Sequence, residues 1–109
     1  MTYSILLKNA LLDEQLTPFT QEKFSDYIKR YPGTIYTVGI DVPKGSSDEV
    51  CAKFCLENDC EFLTPDKGAY DEIFSVKQIK LIEIIQILEN EPTIPRPVYS
   101  LRFRTALSP

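Results

Sequence analysis

Apolar positions along the chain fall into short runs broken by turn residues, and each run predicts an element. Ala10-Leu11-Leu12 stops at Asp13-Glu14-Gln15 and reads as a buried strand. Thr17 suits an N-cap with Pro18 at the first helical position. Phe24, Tyr27 and Ile28 continue one apolar helix face until Pro32-Gly33 ends it. Thr34 to Val38 is β-branched and aromatic, a second strand. Gly39 to Ser47 is a loop, after which Ser46-x-x-Glu49 fits a capping box opening a second helix. Val50, Cys51, Phe54 and Cys55 form the buried face of that helix, and Asn58-Asp59 stop it. Glu61 to Thr64 is a third strand. Residues 79–88 are dense in Ile and Leu; periodicity does not separate a strand from a buried helix, but the β-branched count favours a strand over Lys80–Ile87. Glu91 to Pro97 holds three prolines and reads as a connector, and Val98 to Arg104 alternates as a last strand.

The order through residue 66 is β-α-β-α-β with short connections, the pattern of a parallel sheet with helices on its faces. In that layout the C-terminal ends of the strands and the N-terminal ends of the following helices share one edge, where open α/β folds bind ligands. Asp13 and Glu14 end the first strand, Asp41 follows the second, Asp48 and Glu49 begin the second helix, and Asp66 follows the third strand. All are expected at that edge.

Composition narrows the chemistry. The 109 residues suit one domain over 1–109, with an ordinary 43% apolar and 26% charged content. Histidine is absent, which excludes Ser-His-Asp and Cys-His catalysis and any His-ligated metal. No run approaches the length of a membrane span, and the N-terminal residues lack a basic, signal-like start, so a cytoplasmic protein is expected. Cys51, Cys55 and Cys60 are odd in number and match no common zinc spacing; they read as small buried side chains.

Several carboxylates gathered without histidine suit a hard divalent cation, Mg²⁺ or Mn²⁺, and metal-assisted phosphodiester hydrolysis. A metal-free carboxylate pair for sugar hydrolysis ranks lower, since nothing suggests a carbohydrate groove. Each acid also has an ordinary reading. Asp48 and Glu49 favour a helix N-terminus anyway, Asp66 stands in the turn sequence Pro65-Asp66-Lys67-Gly68, and Asp41 reads as a solvated loop acid. Asp13 is harder to dismiss, because a carboxylate directly after a buried Leu-Leu run is costly without a partner.

Taken together, Leu11-Leu12-Asp13-Glu14-Gln15-Leu16-Thr17-Pro18, Ser47-Asp48-Glu49-Val50 and Phe62-Leu63-Thr64-Pro65-Asp66-Lys67 resemble the three motifs (LLDEN-L-P, S-D-E and T-x-D) of the small PIN-like nucleases often encoded beside toxin–antitoxin genes. The resemblance covers about residues 10–70. It implies a PIN-like, Rossmann-like three-layer α/β sandwich with a mainly parallel central sheet, and Mg²⁺- or Mn²⁺-dependent endoribonuclease activity. Asp13, Asp48 and Asp66 would be the catalytic and metal-site acids, with Glu14 and Glu49 beside them. Gln15 replaces the usual Asn, and Gly68 stands where the family commonly carries a second acid; Asp71 follows further along.

Charge is unevenly spread: residues 1–76 carry 7 basic and 13 acidic side chains, and residues 77–109 carry 5 and 3. Arg96, Arg102 and Arg104, interleaved with Tyr99 and Phe103, suit a strip along a phosphate backbone, although a solvated Arg face over a buried aromatic face explains the same alternation. With Lys67, Arg102 and Arg104 are the candidate substrate-binding residues. The expected partners are RNA as substrate, an antitoxin protein, and a second copy covering the sheet edges; no membrane partner is expected. A reading from a different class is a catalytically weakened PIN-like protein serving as an interaction or dimerisation module.

Overall fold

The computed structural model describes residues 7–16, 22–68, 79–88 and 97–105. Within them the chain runs β1 (Asn9–Leu12), a 3-10 turn (Glu14–Leu16), α1 (Glu22–Lys29), β2 (Ile35–Thr37), α2 (Asp48–Asn58), β3 (Cys60–Thr64), β4 (Ile79–Leu88) and β5 (Val98–Thr105). The expected helix start at Thr17-Pro18, Arg96, Asp71 and most of the proline connector lie outside the described residues.

One five-stranded sheet has the order β2-β1-β3-β5-β4. β1 pairs parallel with β2 and with β3, whereas β5 runs antiparallel to both β3 and β4. The sheet is therefore mixed. This overturns the expected PIN-like three-layer sandwich with a mainly parallel sheet: the parallel part stops at β3, and among the described residues there are two helices, α1 and α2. The physical reason lies in the connections. A parallel return needs a crossover of about a dozen residues or more, usually through a helix. Only the stretch 89–97 separates β4 from β5, and the alternating β5 pattern pairs antiparallel.

β3 is the central strand, and all five of its residues are buried. Alternation sends its side chains to opposite faces. Phe62 packs with Leu11, Leu101, Cys51 and Cys55 against α2. Leu63 packs with Ala10, Val98, Leu16, Tyr27 and Tyr31 on the face that meets α1. Each fully buried Leu or Phe contributes about 1.5–3 kcal/mol. The three cysteines are buried in this core and none is in a disulfide, and burial pushes the Cys55 thiol up from its ordinary value.

Two local devices set the strand ends. Asn9 ties the N-terminal end of β1 to both neighbours: its Nδ2 donates to Asn58 O (2.7 Å) and its Oδ1 accepts from Thr34 N (2.7 Å). A Cβ at Gly33 would collide with Asn9 Oδ1 and the Lys8 carbonyl, so this close approach needs glycine. α2 is capped by Ser47, whose Oγ accepts from Val50 N at 3.3 Å. That corrects the expected Ser46-x-x-Glu49 box by one residue; the Ser46 hydroxyl instead donates to Pro43 O at 2.5 Å within the loop. At the other end Asp59 adopts the left-handed conformation (φ 55°) and its N–H caps Cys55 O. No helix among the described residues is long and apolar enough to cross a membrane.

Candidate functional site

The parallel half of the sheet makes the expected edge real. β1, β2 and β3 all end on one side, and α2 begins there. A cleft of about 150 Å³ opens at this edge, lined by Asp13, Glu14, Asp48 and Asp66 over a floor that includes Val38, Cys51 and Phe62. Four of the candidate acids, drawn from three distant segments, therefore share one cavity.

Asp13 is the best-held of the four. It follows β1 on the α2 side of the sheet, and its backbone N–H donates to Leu63 O at 2.9 Å. Its Oδ1 accepts from Gln15 N at 3.0 Å. Its Oδ2 accepts from the Thr64 hydroxyl at 2.6 Å. The same hydroxyl accepts from Asp66 N at 3.1 Å, so one fully buried oxygen couples Asp13 to the start of the Asp66 turn. This supplies the partner that a carboxylate after a buried Leu-Leu run requires. Asp66 is exposed, and its Oδ1 accepts from Gly68 N at 3.1 Å, an Asx turn. Glu14 Oε1 accepts from Gly45 N at 3.3 Å and so ties the loop before α2 to the end of β1. Asp48 stands at the first position of α2, where the helix dipole favours negative charge.

The remaining candidates are placed elsewhere. Glu49 shares the first turn of α2 but is not part of the cleft lining. Asp41 is an exposed loop acid, as its ordinary reading has it, and its Oδ2 accepts from Thr37 N at 2.9 Å. Lys67 neighbours Asp66, with its ammonium 5.3 Å from the centre of the Tyr99 ring. Arg102 does not come to the acids. It lines a second cavity with Cys60 and Asp59, at the opposite end of β3, and its guanidinium lies 3.6 Å from both Glu61 and Glu83. Arg104 is exposed two residues further along β5.

A carboxylate that the sequence reading did not single out is Glu61. It is fully buried on the α1 face of β3. The hydroxyls of Tyr27 (3.2 Å), Tyr31 and Ser100 donate to it, and Arg102 balances its charge. Burial, and then the negative charge of Glu61, push the Tyr27 phenol up to about 12 and raise Tyr31 further in the same direction. The signal for this cluster was present in the sequence: a glutamate inside a strand too apolar to leave it in water, and two tyrosines one helical turn apart.

Hard oxygen ligands fit Mg²⁺ or Mn²⁺ by type. Among the described residues, however, no three His, Cys, Asp or Glu side chains converge closely enough to hold an ion together. A cation at this cleft would have to be held through one or two carboxylates and its own waters, as Mg²⁺ commonly is.

No protein-family model matches the chain, and neither a curated protein nor a solved structure matches it. The likeness to the small PIN-like nucleases is carried by the three motifs alone.

Proposed function

We propose that the chain is a Mg²⁺- or Mn²⁺-dependent phosphodiester hydrolase acting on RNA at the acidic cleft. The observation that carries this reading is the meeting of Asp13, Glu14, Asp48 and Asp66 at the C-terminal edge of three parallel strands. A divalent cation held there would supply Lewis acidity toward a phosphate oxygen and would lower the pKa of a bound water. The chain contributes position. Asp13 and Asp66, coupled through Thr64, would offer carboxylate oxygens to the cation and its waters. Asp48 adds negative charge from the start of α2, and Glu14 holds the neighbouring loop. The four acids would repel a phosphate unless a cation offset their charge. Lys67, beside Asp66, is the nearest of the candidate basic residues to meet the RNA backbone. The motif likeness extends the reading to the toxin of a toxin–antitoxin pair, with an antitoxin protein as its partner.

The test is cleavage of single-stranded RNA with and without Mn²⁺, with wild type beside Asp66→Ala. Metal-dependent cleavage by wild type that Asp66→Ala loses is the expected result. Mn²⁺ should also raise the Tm of wild type, and Asp13→Asn should remove that rise. Equal cleavage by both proteins would mean a contaminant and the wrong site.

One observation favours a second reading, the weakened interaction module. At residue 68, where the family commonly has an acid, this chain has a glycine, whose backbone N–H donates to Asp66. A Tm rise with Mn²⁺ and no cleavage of any RNA is the result that this reading expects.

A further inference from the structure

We propose that the chain forms a two-fold dimer through β4, which pairs antiparallel with β4 of a second copy about an axis between Leu81 and Ile82. The inference is independent of the hydrolase reading. β4 is an outermost strand of the sheet, ten residues long; one edge is held by β5, and the other is unpaired among the described residues. The opposite outer strand, β2, has three residues and offers too short a template. A long apolar edge is an association surface unless something covers it.

The choice of a second copy follows from the order of side chains. Ile79, Leu81 and Ile84 lie opposite Thr105, Phe103 and Leu101, alternate residues of β5 and hence one sheet face. Lys80 and Glu83 lie opposite Arg104 and Arg102, on the other face. The two charged residues are three apart and share a face only because the register slips between Leu81 and Glu83, which inserts Ile82 as an extra residue. Ile82 is 50% exposed.

The segment Ile79-Lys80-Leu81-Ile82-Glu83-Ile84 is thereby complementary to itself read backwards. A second copy running antiparallel sets Ile79 against Ile84, Lys80 against Glu83 and Leu81 against Ile82. A two-fold axis perpendicular to the sheet keeps each face with its like. The charged pair forms twice on one face, and Ile79 meets Ile84 twice on the other. The whole chain is acidic, but this segment is neutral, with one lysine and one glutamate. The Glu83 side chain is 45% exposed beside Arg102, which leaves it open to a second cation. A foreign strand would have to reproduce this alternation; another copy has it already.

Sedimentation equilibrium of the full chain should give a dimer of the 12.5 kDa protomer. Lys80→Glu sets like charges together at both symmetric positions and should weaken the dimer at least about tenfold, with the circular dichroism and cooperative melting of a folded chain preserved. Ile82→Lys, which charges an exposed position at the axis, should do the same by a second route if the first variant folds poorly. A wild-type monomer at about 0.1 mM, or a dimer that neither substitution weakens, would overturn the proposal.

Discussion

Asp13 and Glu61 are both carboxylates held beside the central strand, and the fold uses them in opposite ways. Glu61 is sealed on the α1 face, where three hydroxyls and a guanidinium occupy its oxygens. Asp13 sits at the strand edge on the α2 face, where one hydroxyl and one backbone N–H orient it and the rest of the group faces the cleft. Saturating a buried carboxylate commits it to structure. Orienting a half-buried one with few partners leaves lone pairs for a ligand. The basic residues divide the same way: Arg102 is consumed by Glu61 and Glu83, while Lys67 stays exposed beside Asp66.

Removing Glu61 should do the most damage. Glu61→Ala removes the acceptor of three buried hydroxyls and one of the two carboxylates paired with Arg102, and should cost about 3–5 kcal/mol by urea denaturation, a large share of the roughly 5–15 kcal/mol typical of a domain. A cost under about 1 kcal/mol would mean that the network is not what holds α1 to the sheet.

A second difference should emerge with pH. The folded state raises Tyr27 from 10.0 to about 12, so the unfolded chain releases that proton first, and rising pH favours unfolding. The contribution is fully present below pH 10 and is lost between pH 10 and about 12. The urea midpoint followed across that range, alongside tyrosinate absorbance, checks it. Tyrosines that ionise near pH 10 with no loss of stability would contradict the burial of Tyr27 against Glu61. The smallest effect belongs to the cleft: Asp48→Asn removes one favourable charge from the α2 N-terminus and should cost about 0.3–1 kcal/mol. A much larger cost would place Asp48 with the structural acids.

Most elements were legible because their signals are local. The Ala10-Leu11-Leu12 run, the β-branched stretch at Ile35–Thr37 and the Asn58-Asp59 stop each depend on neighbouring residues. The cap of α2 was misplaced by one residue because Ser46 and Ser47 carry the same hydroxyl, and the preceding turn decides which one faces Val50 N. The candidate acids at the cleft were legible through parallel topology, which puts strand ends and helix starts on one edge. Thr64, which couples two of them, was not: its role depends on β1 and β3 lying side by side in a set register.

The strands, the second helix, the lack of histidine and the grouping of acids at strand ends could be read from the chain alone. These follow from periodicity, turn residues and composition, all short-range properties of the chain. Packing of distant segments is what makes β5 run antiparallel to β3 and β4, pairs Arg102 with a buried glutamate, and lets Asp13 and Asp66 share one hydroxyl. Strand direction, charge pairing and hydrogen-bond partnership are relations between segments distant in sequence, and they are settled when packing brings those segments together.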